Sequence, residues 1–293
     1  MRVALAGGTG FTGRRVAARL AVDASDLACL VRAGSDRSVL PLTSRAVVGD
    51  LADPASLAPW LKGADVLVFV ASMGFGHVPG VLEACRRAAV RRVVFVSTTA
   101  LFTRLPAPSK VVRLAAEKAV QESGLDWTIV RPTMIYGAPG DRNMERLLRA
   151  VVRWPFLFVP GSGRSLIQPV HVDDLAQGIV AAAQTDDAIG RAFNLSGAAP
   201  LAFDAAIAAV REAAGRRCPR VHLPLGPVVF LLRALERVGL RLRISSEQVL
   251  RLDEDKAFPH DEAAEVLGFA PRSFVEGITH EARQLGLTAE RDA

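Results

Sequence analysis

A glycine-rich turn near the start of the chain constrains the fold more than any other feature. The apolar residues 3–6 lead directly into Gly7, Gly10 and Gly13, and a helical pattern begins at about Phe11. In a strand–turn–helix unit with this spacing, the first glycine allows the tight turn and the second lets the backbone approach a pyrophosphate. The third lets the helix pack closely against the strand.

The start of that helix presents backbone N–H groups and a positive dipole, which favour the binding of phosphates. We therefore interpret the turn as a dinucleotide site, the alternative being a glycine-rich turn in another kind of α/β protein. The residues expected to contact the cofactor here are Gly7, Thr9, Gly10, Phe11, Thr12 and Gly13.

Apolar strand-like runs alternate with helical patterns through the first half of the chain. The runs are almost continuously apolar, which is typical of parallel strands buried on both faces. A βαβ order with right-handed crossovers predicts an α/β fold of the Rossmann type, a doubly wound parallel sheet with ligands at the carboxyl ends of its strands. The predicted strands cover residues 2–6, 27–31, 45–48, 65–71, 92–97, 127–130 and 192–195.

The pattern loosens from Tyr136 onward. Helices are predicted over residues 144–153 and over a segment that Val170-His171-Val172-Asp173-Asp174 opens and that reaches about Gln184. The chain from about 200 onward is mostly helical, without a second nucleotide signature. We therefore divide the chain into a dinucleotide-binding core, residues 1–135, and a second part, residues 136–293. The second part is expected to hold the remaining sheet elements and a small, mostly helical substrate-binding cap.

Composition narrows the class of protein. The chain has 293 residues, of which 50% are hydrophobic, enough for a large core. No apolar run reaches the roughly 18–20 residues that span a bilayer, and the chain opens in a strand rather than a signal peptide. Cys29, Cys85 and Cys218 have no metal-like spacing and are expected to be reduced. These features predict a cytoplasmic protein without a metal site.

The net charge of +6 raises the question of an anionic macromolecular partner. The basic residues are mostly arginines, spread along the chain without interleaved aromatics, so we expect no nucleic-acid partner. An arginine-studded helix around residues 231–242 could lie on a membrane surface. Packing on its own domain is the favoured interpretation of that helix.

The residue at the end of the second strand distinguishes the two nicotinamide cofactors. An acid there binds the ribose 2′-hydroxyl of NAD, whereas an arginine accommodates the 2′-phosphate of NADP. Arg32 stands at this position, and Ser35 and Arg37 can add contacts, so the sequence favours NADP(H) over NAD(H). After the third strand come Asp50, placed to accept from the adenine amino group, and Leu51. The alternative role of Asp50 is to cap the helix that follows.

Several motifs together resemble the short-chain dehydrogenase/reductase superfamily. The resemblance is to its extended and atypical branches, which are epimerase/dehydratase-like or NmrA-like, and it covers nearly the whole chain. The motifs are Gly7-x-x-Gly10-x-x-Gly13, Gly49-Asp50-Leu51, Val96-Ser97-Thr98, Arg131-Pro132-x-x-x-Tyr136-Gly137, Val170-His171-Val172-Asp173-Asp174 and Leu267-Gly268-Phe269-x-Pro271-Arg272-Ser273-Phe274-x-x-Gly277.

The resemblance implies roles for residues at the strand ends. Thr98 occupies the position of the catalytic Ser/Thr, whose hydroxyl hydrogen-bonds a substrate carbonyl or hydroxyl. Pro132 would lie near the nicotinamide, and the nicotinamide ribose would be lined by Ala71, Ser72 and Met73. Dimerisation through the two helices that flank the site is common in the family, so a homodimer is a further expectation.

The chain departs from the family at its acid/base pair. The family uses Tyr-x-x-x-Lys on the helix after the fifth strand, and this sequence places Ser109 and Arg113 at those positions. Serine is too weak an acid to replace tyrosine. Arg113 could hold the ribose but does not readily transfer protons, and Lys110 is a candidate to replace the lysine.

Two other residues could supply a proton. Tyr136 is the chain's one tyrosine and follows the sixth strand, where it could act as an unconventional acid or could pack under the cap. His77 lies in a glycine-containing loop beside the expected nicotinamide site, and its alternative role is to cap the next helix.

Three polar residues are candidates for substrate binding. Arg142 and Asn143 stand at the start of a predicted helix next to the expected cleft, where they could bind an anionic or sugar-like substrate. The alternative is an ordinary helix start capped by Asp141. Arg164, in a glycine-rich loop, is a further candidate for binding a phosphate or carboxylate.

These features support two main hypotheses. The first is an NADP(H)-dependent oxidoreductase or epimerase-like enzyme with a non-standard active site, acting on a small polar molecule such as a carbonyl compound or a nucleotide sugar. The second is a non-catalytic NADP(H)-binding sensor or assembly subunit, motivated by the missing Tyr-x-x-x-Lys. A third, reduction of a C=C bond with water as the acid, stays open.

Overall fold

The computed structural model describes residues 1–105, 108–238, 240 and 245–288. The strands, in chain order, are β1 (Arg2–Ala6), β2 (Asp26–Val31), β3 (Arg45–Val48), β4 (Val66–Phe69), β5 (Arg92–Val96), β6 (Asp126–Pro132), β7 (Ile135–Tyr136), β8 (Leu157–Pro160), β9 (Leu166–Ile167), β10 (Val170–His171), β11 (Arg191–Leu195), β12 (Leu201–Ala202) and β13 (Arg220–Leu223). The α-helices are α1 (Gly13–Asp23), α2 (Ala58–Leu61), α3 (Val78–Arg87), α4 (Pro108–Gln121), α5 (Met144–Arg153), α6 (Val172–Gln184), α7 (Phe203–Ala213), α8 (Leu225–Arg237), α9 (Ser246–Arg251), α10 (Asp261–Leu267) and α11 (Phe274–Gln284).

Seven parallel strands form the central sheet, in the order β11-β6-β5-β4-β1-β2-β3. The chain order reverses around β1, which lies between β2 and β4. In sheets of this type, ligands bind where the order reverses, outside the carboxyl ends of the strands. The predicted Rossmann-type, doubly wound α/β fold is confirmed, and each predicted strand has its counterpart in the sheet.

The chain forms two compact units that alternate along the sequence. The first comprises Met1–Thr133, Val172–Leu195 and Pro259–Pro271, and includes the whole seven-stranded sheet. The second comprises the described parts of 134–171, 196–258 and 272–293. The second half of the sequence therefore contributes β11 to the sheet, while the single boundary between residues 135 and 136 stays a prediction.

Each unit has its own apolar core. In the first, both faces of the sheet are covered because its strands are apolar on both sides; Ala4 and Leu5 have no exposed surface. The indole of Trp60, also buried, donates from Nε1 to the Ala28 carbonyl at 2.9 Å. In the second unit, α5, α7 and α11 contribute buried residues such as Leu148 and Ile278 to one cluster.

Two helix limits differ from those expected. The first helix begins at Gly13 rather than at about Phe11, because the glycine turn takes up the residues before it. The arginine-studded helix expected around 231–242 is α8, which ends at Arg237, while residues 239 and 241–242 of that prediction lie outside the described residues. Over the part of the chain that is described, no helix combines the length and apolarity needed to cross a membrane.

Candidate cofactor and catalytic site

The glycine turn has the backbone geometry that its sequence predicts. Gly7 has a φ of +83°, and a Cβ there would lie 2.8 Å from the Ala71 nitrogen. A Cβ at Gly13 would lie 1.9 Å from the Gly7 carbonyl oxygen. Because contacts this short with backbone atoms do not occur, only glycine allows the strand end, the turn and α1 to approach so closely.

The start of α1 is suited to an anion. Its N-cap residue, Thr12, makes no side-chain cap hydrogen bond, and the first turn holds no acidic residue. The dipole and amide donors of this helix end are therefore not neutralised by a carboxylate. The guanidinium of Arg15 lies over the Phe11 ring at 4.8 Å and pairs with Asp173 at 3.1 Å. Turn and helix start together fit the pyrophosphate of a dinucleotide.

A cationic turn follows β2. Arg32 and Arg37 are exposed, and the turn is closed by the Ser35 hydroxyl, which accepts from the Arg32 backbone N–H at 3.2 Å. Between the arginines, Asp36 accepts from both the N–H and the hydroxyl of Ser38. These hydrogen bonds lower the pKa of Asp36, so the turn carries two cations and one anion.

The segment after β3 keeps its carboxylate exposed. Asp50 accepts from the Ala52 N–H at 2.9 Å, and its own N–H donates to Ser56 at 3.0 Å. The alternative role of Asp50 as a helix cap is wrong, because the 3-10 turn that begins at Pro54 is capped by Asp53. The adenine contacts expected of Asp50 and Leu51 stay predictions.

The segment after β4, which is expected to line the nicotinamide ribose, has one of its three side chains buried in the core. Ser72 accepts from the Gly74 N–H at 3.2 Å and caps the short 3-10 turn Met73–Phe75. The Met73 side chain is 2% exposed and belongs to the core of the first unit. Within Ala71-Ser72-Met73, Met73 therefore contributes main-chain atoms to any ligand surface.

Thr98 begins the loop after β5. Its Oγ1 accepts from the Ala100 N–H at 3.1 Å, which occupies one lone pair and leaves the hydroxyl hydrogen to be donated elsewhere. Its neighbour Ser97 has a buried Oγ without a hydrogen-bond partner among the described residues. Thr99 donates to the Pro132 carbonyl at 3.1 Å, which holds the end of β6 beside this loop.

The face of α4 distinguishes the two candidate replacements for the family lysine. The guanidinium of Arg113 lies against the 3-10 turn after β4, with Nε 3.4 Å from where a Cβ of Gly74 would be, and donates to Ser109 Oγ at 3.2 Å. Lys110 instead donates to the Thr103 carbonyl at 2.6 Å. Arg113, not Lys110, is thus the cation of α4 that lies beside the segment expected to line the nicotinamide ribose.

Tyr136 is enclosed within the second unit. It has no exposed surface, and its ring lies 5.2 Å from Phe274 and 5.5 Å from His171, centroid to centroid. Its hydroxyl lies 3.5 Å from the Phe274 carbonyl oxygen, and a Cβ at Gly277 would lie 2.1 Å from the hydroxyl oxygen. These contacts are those of the packing role, and a role as acid stays a prediction.

The remaining candidates occupy separate segments. His77 is the N-cap residue of α3 and makes no side-chain cap hydrogen bond. Arg142 and Asn143 are exposed before α5, whose first amides are capped by Asp141, as the alternative for this segment predicts. Arg164 is exposed between β8 and β9. Substrate contacts of these four residues stay predictions.

A buried pair of acids was not found from the sequence. Glu281 is fully buried, and its Oε2 accepts from the Gly137 N–H at 3.2 Å. Burial raises the pKa of Glu281 to about 8, with the nearby charge of Asp141 as the second cause. Its Oε1 is buried without a hydrogen-bond partner among the described residues. No motif signals this pair, because its members are far apart in sequence.

The chain is similar in sequence to a nucleotide-binding family and to two reductases. A family model described as "NAD(P)H-binding" matches residues 7–151. A ceramide reductase of Caulobacter vibrioides is 34% identical over 198 residues, which cover 62% of this chain and 61% of the relative's length. The 4-hydroxy-2-methyl-3-oxo-4-farnesyl-3,4-dihydroquinoline-1-oxide ketoreductase of Stigmatella aurantiaca is 25% identical over 100% of this chain and 96% of its own.

Solved structures of epimerases share the fold. The UDP-glucose 4-epimerase of Thermus thermophilus, in complex with NAD, matches with a TM-score of 0.75 at 19% identity, over 98% of this chain and 99% of its own. The chain is therefore an NAD(P)-binding protein of the oxidoreductase and epimerase class. Within that class its motifs and its relatives support the extended, epimerase-like branch of the short-chain dehydrogenase/reductase superfamily.

Proposed function

We propose that this protein is an NADPH-dependent reductase of a carbonyl group on a lipophilic substrate. Two of its relatives are reductases, and their names give a ceramide and a farnesyl-bearing quinoline oxide. Both compounds join a polar, oxygenated group to long hydrocarbon parts. The proposed substrate thus differs from the small polar molecule expected from the sequence, because it also carries a long hydrocarbon part.

The hydrogen bonding of Thr98 carries the proposal. Because its oxygen accepts from the Ala100 N–H, the hydroxyl can still donate its own hydrogen, and we assign that hydrogen to the carbonyl oxygen of the substrate. A hydrogen bond at this place stabilises the negative charge that develops on the oxygen as the carbonyl carbon is reduced. Thr98 is too weak an acid to be the final proton source, so water supplies that proton through the hydroxyl.

In this proposal, Arg113 has the cofactor-positioning role that the lysine has in the family. A bound nicotinamide cofactor supplies the hydride in this chemistry. Arg113, which lies beside the 3-10 turn after β4, holds the ribose hydroxyls as a permanent cation. Because a guanidinium stays protonated at neutral pH, it orients the cofactor without transferring a proton.

The cationic turn after β2 supports a preference for NADPH. Arg32 and Arg37 are exposed there, and the Ser35 hydroxyl holds the turn in place. Two guanidinium groups bind a 2′-phosphate more strongly than a ribose hydroxyl, since phosphate accepts charge-assisted hydrogen bonds.

The test is NADPH consumption with a long-chain N-acyl 3-keto amide, a prenylated cyclic ketone and UDP-glucose. Turnover is expected with one of the two lipophilic ketones. The Thr98→Ala variant should lose about 100-fold in kcat, the effect typical of removing one such donor, with unchanged NADPH affinity. The Thr98→Ser variant is the matched control and should keep most of the activity.

The second candidate is a non-catalytic NADPH-binding protein. Ser109 at the tyrosine position of α4 and the enclosure of Tyr136 favour it. Tight NADPH binding with no turnover of any of the three compounds would support this candidate, whereas turnover that is lost in Thr98→Ala excludes it.

A further inference from the structure

Three exposed aromatic side chains stand in one five-residue stretch of the second unit, residues 154–158. Trp154 is 59% exposed, Phe156 45% and Phe158 56%. The rings of Phe156 and Phe158 are 5.2 Å apart, centroid to centroid, and meet edge to face. A contiguous cluster of apolar rings on a protein surface often marks an interaction site, whereas apolar residues that are exposed singly are common and do not.

The cluster is fixed to a rigid support. Phe158 lies on β8 opposite Val221 of β13, which is also exposed. The alternate residues of β8 face the other way, since Val159 is buried and Leu157 packs against the core of the second unit. The ladder therefore holds Phe158 and Val221 outward. Together with the exposed Trp154 and Phe156, which precede β8, they form the aromatic face (Trp154, Phe156, Phe158 and Val221).

Arginines border the aromatic face. Arg153 precedes Trp154, with its guanidinium 6.0 Å from the centroid of that ring. The Cys218 thiol donates to the Trp154 carbonyl at 3.3 Å, and the exposed Arg216 and Arg217 directly precede Cys218 in the chain. The border also holds one exposed acid, Glu212, whose carbonyl accepts from the Gly215 N–H. Three cations and one anion give this edge a positive charge.

We propose that the aromatic face docks on the surface of an anionic phospholipid bilayer. Exposed Trp and Phe with flanking arginines suit the headgroup region, where rings enter the acyl boundary and guanidinium groups bind phosphates. A second copy of the chain is disfavoured as the occupant, because it would bring one arginine border against another on a protein of net charge +6. The face is distinct from the helix around 231–242, for which the sequence favours packing.

Docking here goes beyond the proposed reductase activity and is tested without turnover. Purified protein is sedimented with vesicles of phosphatidylcholine alone or with added phosphatidylglycerol, at low and high salt. Binding is expected to the anionic vesicles at low salt. Of the three tryptophans, Trp60 is buried and Trp127 half-buried, so a blue shift of emission on binding should come from Trp154 and vanish in Trp154→Phe.

Variants locate the face. Phe156→Ser with Phe158→Ser should weaken vesicle binding at least about tenfold, since each ring loses its transfer into the acyl boundary. Arg216→Gln with Arg217→Gln should weaken it about fivefold per arginine and lessen its salt dependence. Phe230→Ser is the matched control, because Phe230 is an aromatic of α8 that is 75% exposed and lies outside the face. Circular dichroism verifies that all variants are folded.

Three results overturn the proposal. The first is that the protein does not bind anionic vesicles. The second is that vesicle binding is lost in Phe230→Ser but kept in the double phenylalanine variant. The third is that no vesicle binding occurs and that sedimentation velocity shows a dimer, which the double phenylalanine variant dissociates. The last result assigns the face to self-association. None of these results depends on whether a carbonyl substrate is reduced.

Discussion

The glycine turn and the exposed side of α4 are both parts of the expected site, and they relate to the superfamily in opposite ways. In the turn, Gly7 and Gly13 keep the family pattern, and each is required by a backbone contact that no other residue allows. On α4, Ser109 and Arg113 replace the tyrosine and lysine. Binding the cofactor depends on backbone shape, whereas the source of the proton depends on side chains, so the second can change while the first is kept.

The largest effect is expected in the turn. Gly13→Ala places a Cβ 1.9 Å from the Gly7 carbonyl oxygen, so α1 must move away from the turn. NADPH affinity, measured by fluorescence titration, should fall more than about 100-fold because a shift of this size removes several phosphate contacts. Gly226→Ala is the control, since no atom lies within 4 Å of its Cβ position and the residue lies outside the expected cofactor site. Equal losses in the two variants would contradict the role of the turn.

Arg113→Ala should have the next largest effect. Losing a charge-assisted contact to the ribose should lower kcat/KM with NADPH about tenfold to 100-fold. Lys110→Ala, the matched control on the same helix, should change it less than about threefold, because Lys110 donates to the Thr103 carbonyl. If Lys110→Ala proves the more damaging variant, the assignment of the two cations is reversed.

Arg32→Ala tests the cofactor preference set at the other end of the dinucleotide. NADPH affinity should fall about tenfold while NADH affinity stays the same, because only NADPH has the 2′-phosphate. Arg19→Ala, an exposed arginine of α1, controls for the loss of one positive charge. An equal loss for both cofactors would show that Arg32 does not read the 2′-phosphate.

Glu281→Gln should have the smallest effect on turnover, less than about twofold, and a clear effect on stability. The pKa of Glu281 in the fold is about 8, above the ordinary pKa of a glutamate side chain. Its contribution to the free energy of unfolding is therefore fully present at pH values below that ordinary pKa. That contribution is lost as the pH rises through about 8. The variant should therefore gain stability relative to the wild type between pH 6 and about 8.5, by about 2–4 kcal/mol.

Thermal melts at several pH values measure this difference, and a gap between variant and wild type that does not change with pH contradicts the assignment. The result bears on the comparison because Tyr136, the chain's one tyrosine, is buried in the same second unit as Glu281. A large loss of turnover in Glu281→Gln would instead connect this unit to the chemistry.

The sequence predicted features that depend on local backbone rules. The glycine spacing gave the turn, and the continuous apolar runs gave all seven strands of the sheet, because burial on both faces leaves a direct compositional signal. The cap role of Asp141 was likewise foreseen as an alternative, since acids at helix starts are a local pattern.

Other features depend on contacts between distant residues and left no such signal. Arg113 and Lys110 are three positions apart on one helix, and only the packing of α4 against the turn after β4 decides which of them lies beside the ribose segment. The buried acids Asp141 and Glu281 come from separate elements, and only the fold brings them close enough for the charge of Asp141 to help raise the pKa of Glu281. Asp53, not Asp50, caps the 3-10 turn at Pro54. Both residues are acids in one short segment, so residue type does not distinguish them, and the backbone conformation decides which side chain reaches the free N–H.

The most direct test of the central claim uses NADPH deuterated at nicotinamide C4 with a long-chain N-acyl 3-keto amide and a prenylated cyclic ketone. We expect deuterium at the new carbinol carbon of one product, detected by mass spectrometry, and about 100-fold less of it with Thr98→Ala at unchanged NADPH affinity. The absence of deuterium in both products, with NADPH still bound, would contradict the claim that this site is a reductase.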